Sequence, residues 1–254
     1  MKITFLGTGT SSGVPVLTCK CAVCSSLDFR DKRLRVSILL QEGNKNIIFD
    51  TGPDFRQQAL RESISHLDAV IFTHEHKDHT GGLDDIRPYN YLSGLKNLPI
   101  YAHNRVLNQL KQEYYYAFQE NPYPGVPIIE CNEVVNEPFE AVGIKVQPID
   151  VLHHKLQVFG YRIGDFTYIT DANKISDTEL AKAKGSKVFV LNALQNSPHI
   201  SHFSLQEAIE IANHVGAPET YFTHISHKLG LHREIDEKLP EGIKLAYDGL
   251  KIEV

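Results

Sequence analysis

The stretch that most limits this chain runs from Asp68-Ala69-Val70-Ile71-Phe72-Thr73 into His74-Glu75-His76-Lys77-Asp78-His79-Thr80-Gly81-Gly82. Its first part is almost wholly apolar and predicts a buried strand, so side chains at its end stand on a rigid support. In an extended segment residues i and i+2 point the same way, and His74 and His76 can therefore grip one ion. The turn after them swings Asp78 and His79 toward a second ion, and Gly81-Gly82 predicts a sharp backbone bend. Imidazole and carboxylate suit zinc, iron or manganese. Four ligand-type side chains in the six positions from His74 to His79 make a chance polar loop a poor explanation. Glu75 and Lys77, at the alternate positions, are expected to face away.

At 254 residues the chain is long enough for one large domain with a sizeable core, and we expect a single domain over 1–254. No stretch approaches the ~20 apolar residues of a membrane helix. The opening MKITFLGTGT reads as a buried strand, since a signal peptide needs roughly 7–15 apolar residues in its core. A cytoplasmic protein is expected. The net charge of −5 argues against a broad nucleic-acid surface. It leaves an anionic substrate open, because bound cations reverse the local field. Of four cysteines, Cys19, Cys21 and Cys24 crowd together, and in a reducing compartment that suggests a metal site more than disulfides. Cys131 stands alone.

Along the chain, strands are expected at KITFLG, RVSILLQ, KNIIFD, DAVIFT and LPIYAH, then at PFEAVGIKVQPI, FGYRIG, FTYIT, KVFVLN, TYFT, KLAYDG and KIEV. Residues 104–120 read as a helix ended by the Pro-rich NPYPGVP. SLQEAIEIANHVG is amphipathic, with apolar positions at 205, 208, 209, 211, 212 and 215. Both halves hold strand runs followed by helices, which suits two packed sheets with helices outside.

The His-x-His-x-Asp-His run at His74–His79 resembles the signature of the metallo-β-lactamase superfamily, and the likeness extends over the chain. The resemblance implies an α/β fold, a four-layer αββα sandwich with its site at the edge between two sheets. It implies two divalent ions, zinc or manganese with iron as a further choice. The first ion takes His74 and His76 and the second takes Asp78 and His79; a third histidine, a bridging aspartate and a last histidine come later, each at a strand end. Asp171, ending FTYIT, matches the bridging carboxylate, and His224, ending TYFT, matches the last ligand. The third histidine comes from His153-His154, and the following Gly160-Tyr161 strand favours His153. Two ions about 3.5–4 Å apart share a water and lower its pKa toward ~7, giving hydroxide at neutral pH. Asp50, after KNIIF, is expected to orient a ligand histidine.

Within that superfamily the chain resembles the phosphoribosyl 1,2-cyclic phosphate phosphodiesterases. The likeness rests on FLGTGTSSGVP followed by Cys-x-Cys-x-x-Cys, on Asp50-Thr51-Gly52-Pro53-Asp54 with Arg56-Gln57, on Gly160-Tyr161-Arg162, and on His202 with His224-Ile225-Ser226-His227. It implies that His202 serves the reaction centre beside Asp78 and Asp171. It also implies a closed structural zinc site of Cys19, Cys21, Cys24 and His227. The expected reaction is hydrolysis of a small cyclic phosphate or nucleotide-like phosphodiester. The alternatives are an RNA-processing ribonuclease of the same superfamily and a non-catalytic metal-binding accessory protein. Arg56, Arg87 and Arg162 are candidates for holding a second phosphate, and Tyr114-Tyr115-Tyr116 with NPYPGVP for a flap. No extended nucleic-acid surface and no membrane partner are expected, and a homodimer is compatible with the sequence. GTGTSSG lacks the Gly-Lys-Ser/Thr of a nucleotide loop, and a single Asp50-Thr51-Gly52 does not make an aspartic protease.

Overall fold

The computed structural model describes all residues 1–254. The strands are β1 (Lys2–Gly7), β2 (Ser37–Glu42), β3 (Lys45–Phe49), β4 (Ala69–Ile71), β5 (Leu98–Ala102) and β6 (Ile129–Glu133). Then follow β7 (Phe139–Ala141), β8 (Ile144–His153), β9 (Leu156–Ile163), β10 (Phe166–Tyr168), β11 (Lys174–Ile175), β12 (Val188–Asn192), β13 (Glu219–Thr223), β14 (Ile243–Leu245) and β15 (Lys251–Glu253). One sheet has the order β15-β1-β2-β3-β4-β5-β6, the other β11-β8-β9-β10-β12-β13-β14, with β7 paired to β8. The last strand thus returns to the first sheet and closes its edge against β1.

Period-two alternation builds three apolar layers from these strands. Ile38, Leu40, Ile47, Phe49, Ala69 and Ile71 point between the sheets, where they meet Tyr161, Tyr168, Val188, Val190 and Tyr221. The intervening Leu39, Ile48, Val70 and Phe72 face outward, onto a layer with Val106, Leu107 and Leu110 of the helix Asn104–Glu113. On the far side Phe189, Leu191 and Phe222 pack on Ala208, Ala212 and Val215 of the helix Leu205–Val215. The result is the αββα sandwich. The strands are nearly continuously apolar because both faces are covered.

The helix Leu205–Val215 shows how the sequence fixes an element. Ser204 caps it and exchanges hydrogen bonds with Glu207, and Gly216 ends it at φ 69°. Three expectations change. The run expected as one strand at PFEAVGIKVQPI is a hairpin, because Val142 and Gly143 turn at φ 46° and 91° between β7 and β8. The helix expected over 104–120 stops at Glu113 and gives way to a short 3-10 turn at Tyr115–Ala117. Strand β6 was not expected from the sequence: its Cys131-Asn132-Glu133 end is too polar to signal burial, and only pairing with β5 makes it a strand. No helix is long and apolar enough to cross a membrane.

Candidate metal centre

Strand ends deliver the site. β3 runs into Asp50, β10 is followed three residues later by Asp171, and β13 runs into His224. At each of these positions the backbone turns through the left-handed region, with φ of 64°, 55° and 54°. A non-glycine residue there is strained by roughly 1–3 kcal/mol. The turn points three polar side chains off three buried strands into one place.

Two close approaches hold the His74–His79 loop against the turn after β3. A Cβ added to Gly52 would lie 2.1 Å from the Asp78 carbonyl oxygen, and one on Gly82 would lie 2.1 Å from the Gly52 oxygen. Gly82 N also donates to Thr51 O at 2.8 Å. The chain turns at Gly81-Gly82 as expected, but their φ values of −68° and −109° suit any residue, so conformational freedom is not the reason for glycine here. It is the missing side chains that matter. The Asp50-Thr51-Gly52 triplet is explained by the same packing.

The side chains then fall into adjoining groups. Ligand atoms of His74, His76 and His153 lie within 4.8 Å of one another, as do those of Asp78, His79, Asp171 and His224, and those of His153, Asp171 and His202. Asp171 is central: Oδ2 is 3.2 Å from His79 Nε2, and Oδ1 is 3.1 Å from His224 Nε2 and 3.7 Å from His202 Nδ1. Asp78 Oδ2 is 3.3 Å from His79 Nε2 and 3.8 Å from His224 Nε2. His202 stacks against His224, with ring centroids 4.6 Å apart.

Backbone and carboxylate partners orient these rings. Asp50, fully buried, accepts from Thr73 N and Thr73 Oγ1 at 2.8 Å each and lies 2.7 Å from His79 Nδ1. That contact makes Nδ1 the donor and leaves His79 Nε2 facing Asp78 and Asp171. His153 Nδ1 donates to Ser201 O at 2.8 Å, so its Nε2 is likewise free. His154, next along, is exposed and joins none of the groups.

Electrostatics make the residues interdependent. Burial alone would depress His224, but the Asp171 carboxylate outweighs it and lifts the pKa to about 9. Burial likewise opposes ionisation of Asp171, yet His224 and His79 hold it well below the usual carboxylate range. Burial, with His224 beside it, lowers His202 to about 2. The atoms His79 Nε2, His224 Nδ1, His224 Nε2 and His202 Nδ1 are buried without a hydrogen-bond partner. Of these, His79 Nε2 and His224 Nε2 lie 3.2 and 3.1 Å from Asp171 oxygens without being aligned to donate to them, as ligand nitrogens for a shared cation would. The donor set of imidazoles and carboxylates fits divalent zinc, manganese or iron.

A second cluster lies close by in sequence. Sγ atoms of Cys19, Cys21 and Cys24 sit 3.3, 3.4 and 3.4 Å from His227 Nδ1. Three thiols and one imidazole converging in this way match a closed tetrahedral zinc site. The Cys24 backbone N–H, then His227, lower the Cys21 thiol to about 6. His224 and His227 share one loop, which ties the two clusters together.

The proposed phosphate-binding arginines are not brought to the centre. Arg56 lines a separate cleft of about 410 Å³ with Leu60, Asp85, Tyr89 and Leu92, and no metal-group residue lines it. Arg87 pairs with Asp84 at 2.7 Å, and Arg162 donates to the carbonyls of Gly164, Lys182 and Lys184. Arg87 and Arg162 are held by acceptors of their own, whereas Arg56 is placed in a different cleft. Tyr114 donates to Thr80 O from a buried position and belongs to the packing rather than to a flap.

A family model described as the beta-lactamase superfamily domain matches residues 45–225. The chain is 41% identical over 254 residues to a Porphyromonas gingivalis protein named octanoyltransferase, covering 99% of this chain and 51% of that protein. It is 28% identical over 188 residues to ribonuclease Z of Nostoc punctiforme, covering 72% of this chain and 51% of that one. The chain thus spans about half the length of these curated relatives. Among solved structures it superposes with TM-score 0.93 and 42% identity on a new diphosphatase from the PhnP family, over 100% of this chain and 97% of that one. It also shares its fold with zinc-bound PqqB of Methylobacterium extorquens, at TM-score 0.79 and 19% identity, over 100% of both chains. On the family match, the likeness to the diphosphatase and the αββα sandwich, the chain belongs to the metallo-β-lactamase superfamily.

Proposed function

We propose that this chain is a metal-dependent phosphoric diester hydrolase for small phosphorylated substrates, with two divalent ions at the His74–His224 centre and one structural zinc at Cys19, Cys21, Cys24 and His227. The observation that carries the reading is Asp171, buried between His79 and His224 with a carboxylate oxygen toward each. Bound there, divalent ions supply an activated water at neutral pH and charge stabilisation for a phosphoryl group. His74, His76 and His153 would hold one ion and Asp78, His79 and His224 the other, with Asp171 beside both groups. Asp50 keeps His79 in the tautomer that presents Nε2. His202, stacked on His224, would face the substrate as a neutral imidazole with one N–H to donate to the phosphoryl or leaving oxygen. The 42% likeness to a PhnP-family diphosphatase supports phosphoryl chemistry, and a cyclic phosphate or nucleotide-like diester suits the same centre.

Ribonuclease Z relatives favour RNA as a second substrate class, but the net charge of −5 offers no extended surface for a polyanion. The relative named octanoyltransferase is about twice as long, and this chain spans 51% of it.

The test is elemental analysis with hydrolysis of bis(p-nitrophenyl) phosphate, on wild type and Asp171→Ala. About three ions per chain and turnover lost in the variant are expected. Three ions with no ester turned over would overturn the hydrolase in favour of a non-catalytic accessory role.

A further inference from the structure

The alternate positions of the His74–His79 loop, Glu75 and Lys77, both reach the helix Asn104–Glu113. Lys77 pairs with Glu113 at its last residue, at 2.6 Å, and Glu75 Oε1 accepts from Arg105 Nε in its first turn, also at 2.6 Å. Lys77 is largely exposed, whereas Glu75 stands between His74 and His76 with its side chain mostly buried. Glu75 Oε2 is buried without a hydrogen-bond partner, so Arg105 is the contact that holds this carboxylate.

Arg105 reaches a second segment as well. Its Nη2 donates to the Gln157 carbonyl oxygen. Gln157 lies on β9 opposite Leu152, the residue before His153. One guanidinium thereby joins the loop that carries His74 and His76 to the hairpin that carries His153, the three members of one ligand group. Neither acceptor lies on the segments that carry Asp171 or His224. The start of the helix is itself fixed: His103 Nδ1 accepts from Arg105 N at 3.1 Å, and the His103 ring packs edge-on to Phe159 of β9, with centroids 5.8 Å apart. A cation in the first turn opposes the helix dipole, so helix stability alone would not place arginine there. What an arginine offers at this point is a planar fork that meets two acceptors at once.

We propose that Arg105 is a positioning residue for the ion at His74, His76 and His153. By holding Glu75 and the Gln157 carbonyl together, it sets the separation of the His74-His76 pair from His153. The proposal rests on the two-ion reading above and deepens it, since it names a residue outside the ligand set that supports one ion and spares the other.

The experiment is stepwise removal of zinc from the metal-loaded protein by graded chelator, with the ions retained per chain read by elemental analysis. His153→Ala, which loses a ligand of the first ion only, marks the step that belongs to that ion. In Arg105→Met the same ion should leave at about 10–100-fold lower free chelator, the usual effect of losing a partner behind a ligand, while the other shifts by less than about threefold. By charge alone the variant would hold cations tighter, because it removes a positive group near the centre, so a loss has to come from geometry. Arg105→Lys keeps the charge without the fork and should fall between wild type and Arg105→Met. Val106→Ala loosens the packing of the same helical turn, where Val106 is fully buried, and should leave both ions as in wild type. An unchanged or tighter first ion in either arginine variant, an equal loss of both ions, or the same selective loss in Val106→Ala would overturn the proposal. Failure of the hydrolase reading shows separately, as absent turnover of bis(p-nitrophenyl) phosphate with the selective loss intact. A wild-type protein with no ion at His153 would remove the two-ion reading and the proposal together.

Discussion

Replacing Asp50 separates two things this buried carboxylate does. It accepts two hydrogen bonds from Thr73, at 2.8 Å each, and it holds His79 Nδ1 at 2.7 Å. Asp50→Asn keeps the shape and an oxygen for the Thr73 N–H. Its amide group, placed against His79, donates instead of accepting. His79 then accepts at Nδ1 and carries its proton on Nε2, the atom facing Asp78 and Asp171. The expected cost is 10–100-fold in affinity for the second ion, the usual effect of losing an outer partner, or about 1.4–2.8 kcal/mol. Asp50→Ala adds a different loss. It strands the Thr73 N–H and the His79 Nδ1–H away from water, at about 1–3 kcal/mol for each unsatisfied donor. Metal affinity by competition with a chromophoric chelator, and urea denaturation of the metal-free protein, read the two terms apart. Asp50→Asn should fail mainly in the first assay and Asp50→Ala in both. Wild-type affinity for both ions in Asp50→Asn would refute the tautomer argument.

Three further outcomes are expected. In metal-free protein His224 is lifted from 6.5 to about 9, so its contribution is complete below pH 6.5 and fades as pH rises through about 9. Asp78 and Asp171, held below the ordinary carboxylate value of 3.8, contribute above that pH and lose their effect as acid protonates them. Scans of Tm against pH should therefore show the chelator-treated protein weakening between pH 6.5 and 9 while the metal-loaded protein stays flat; equal slopes would contradict this. Gly52→Ala drives a Cβ to 2.1 Å from the Asp78 carbonyl oxygen, and overpacking of about 1–3 kcal/mol with loss of the Asp78-side ion should appear in denaturation and metal analysis. Ser204→Ala breaks the capping box of the helix Leu205–Val215 and should lower stability by about 1 kcal/mol in urea while leaving metal content unchanged.

The sequence by itself determined the layers and most of the ligand chemistry. The near-continuous apolar runs in SILLQ, NIIF and AVIF announce strands covered on both faces, and those strands lie side by side in the first sheet. The run His74–His79 carries its own geometry, because a buried strand and the turn after it are local. The capped helix at Leu205–Val215 is local in the same sense.

What only the tertiary structure decided depends on contacts between distant segments. His153 and His154 are adjacent in sequence and chemically identical; the turn at φ 58° buries one against Ser201 and exposes the other. Gly52 and Gly82 look like turn residues until a neighbouring backbone is seen to occupy the space of their side chains. Arg56, Arg87 and Arg162 carry the right charge for phosphate, but the carbonyls and carboxylates that hold Arg87 and Arg162, and the cleft that takes Arg56, exist only in the fold. Side-chain type and periodicity are properties of the chain. Which of two like residues reaches a shared centre is fixed by register, burial and competing acceptors, and these arise when the sheets meet.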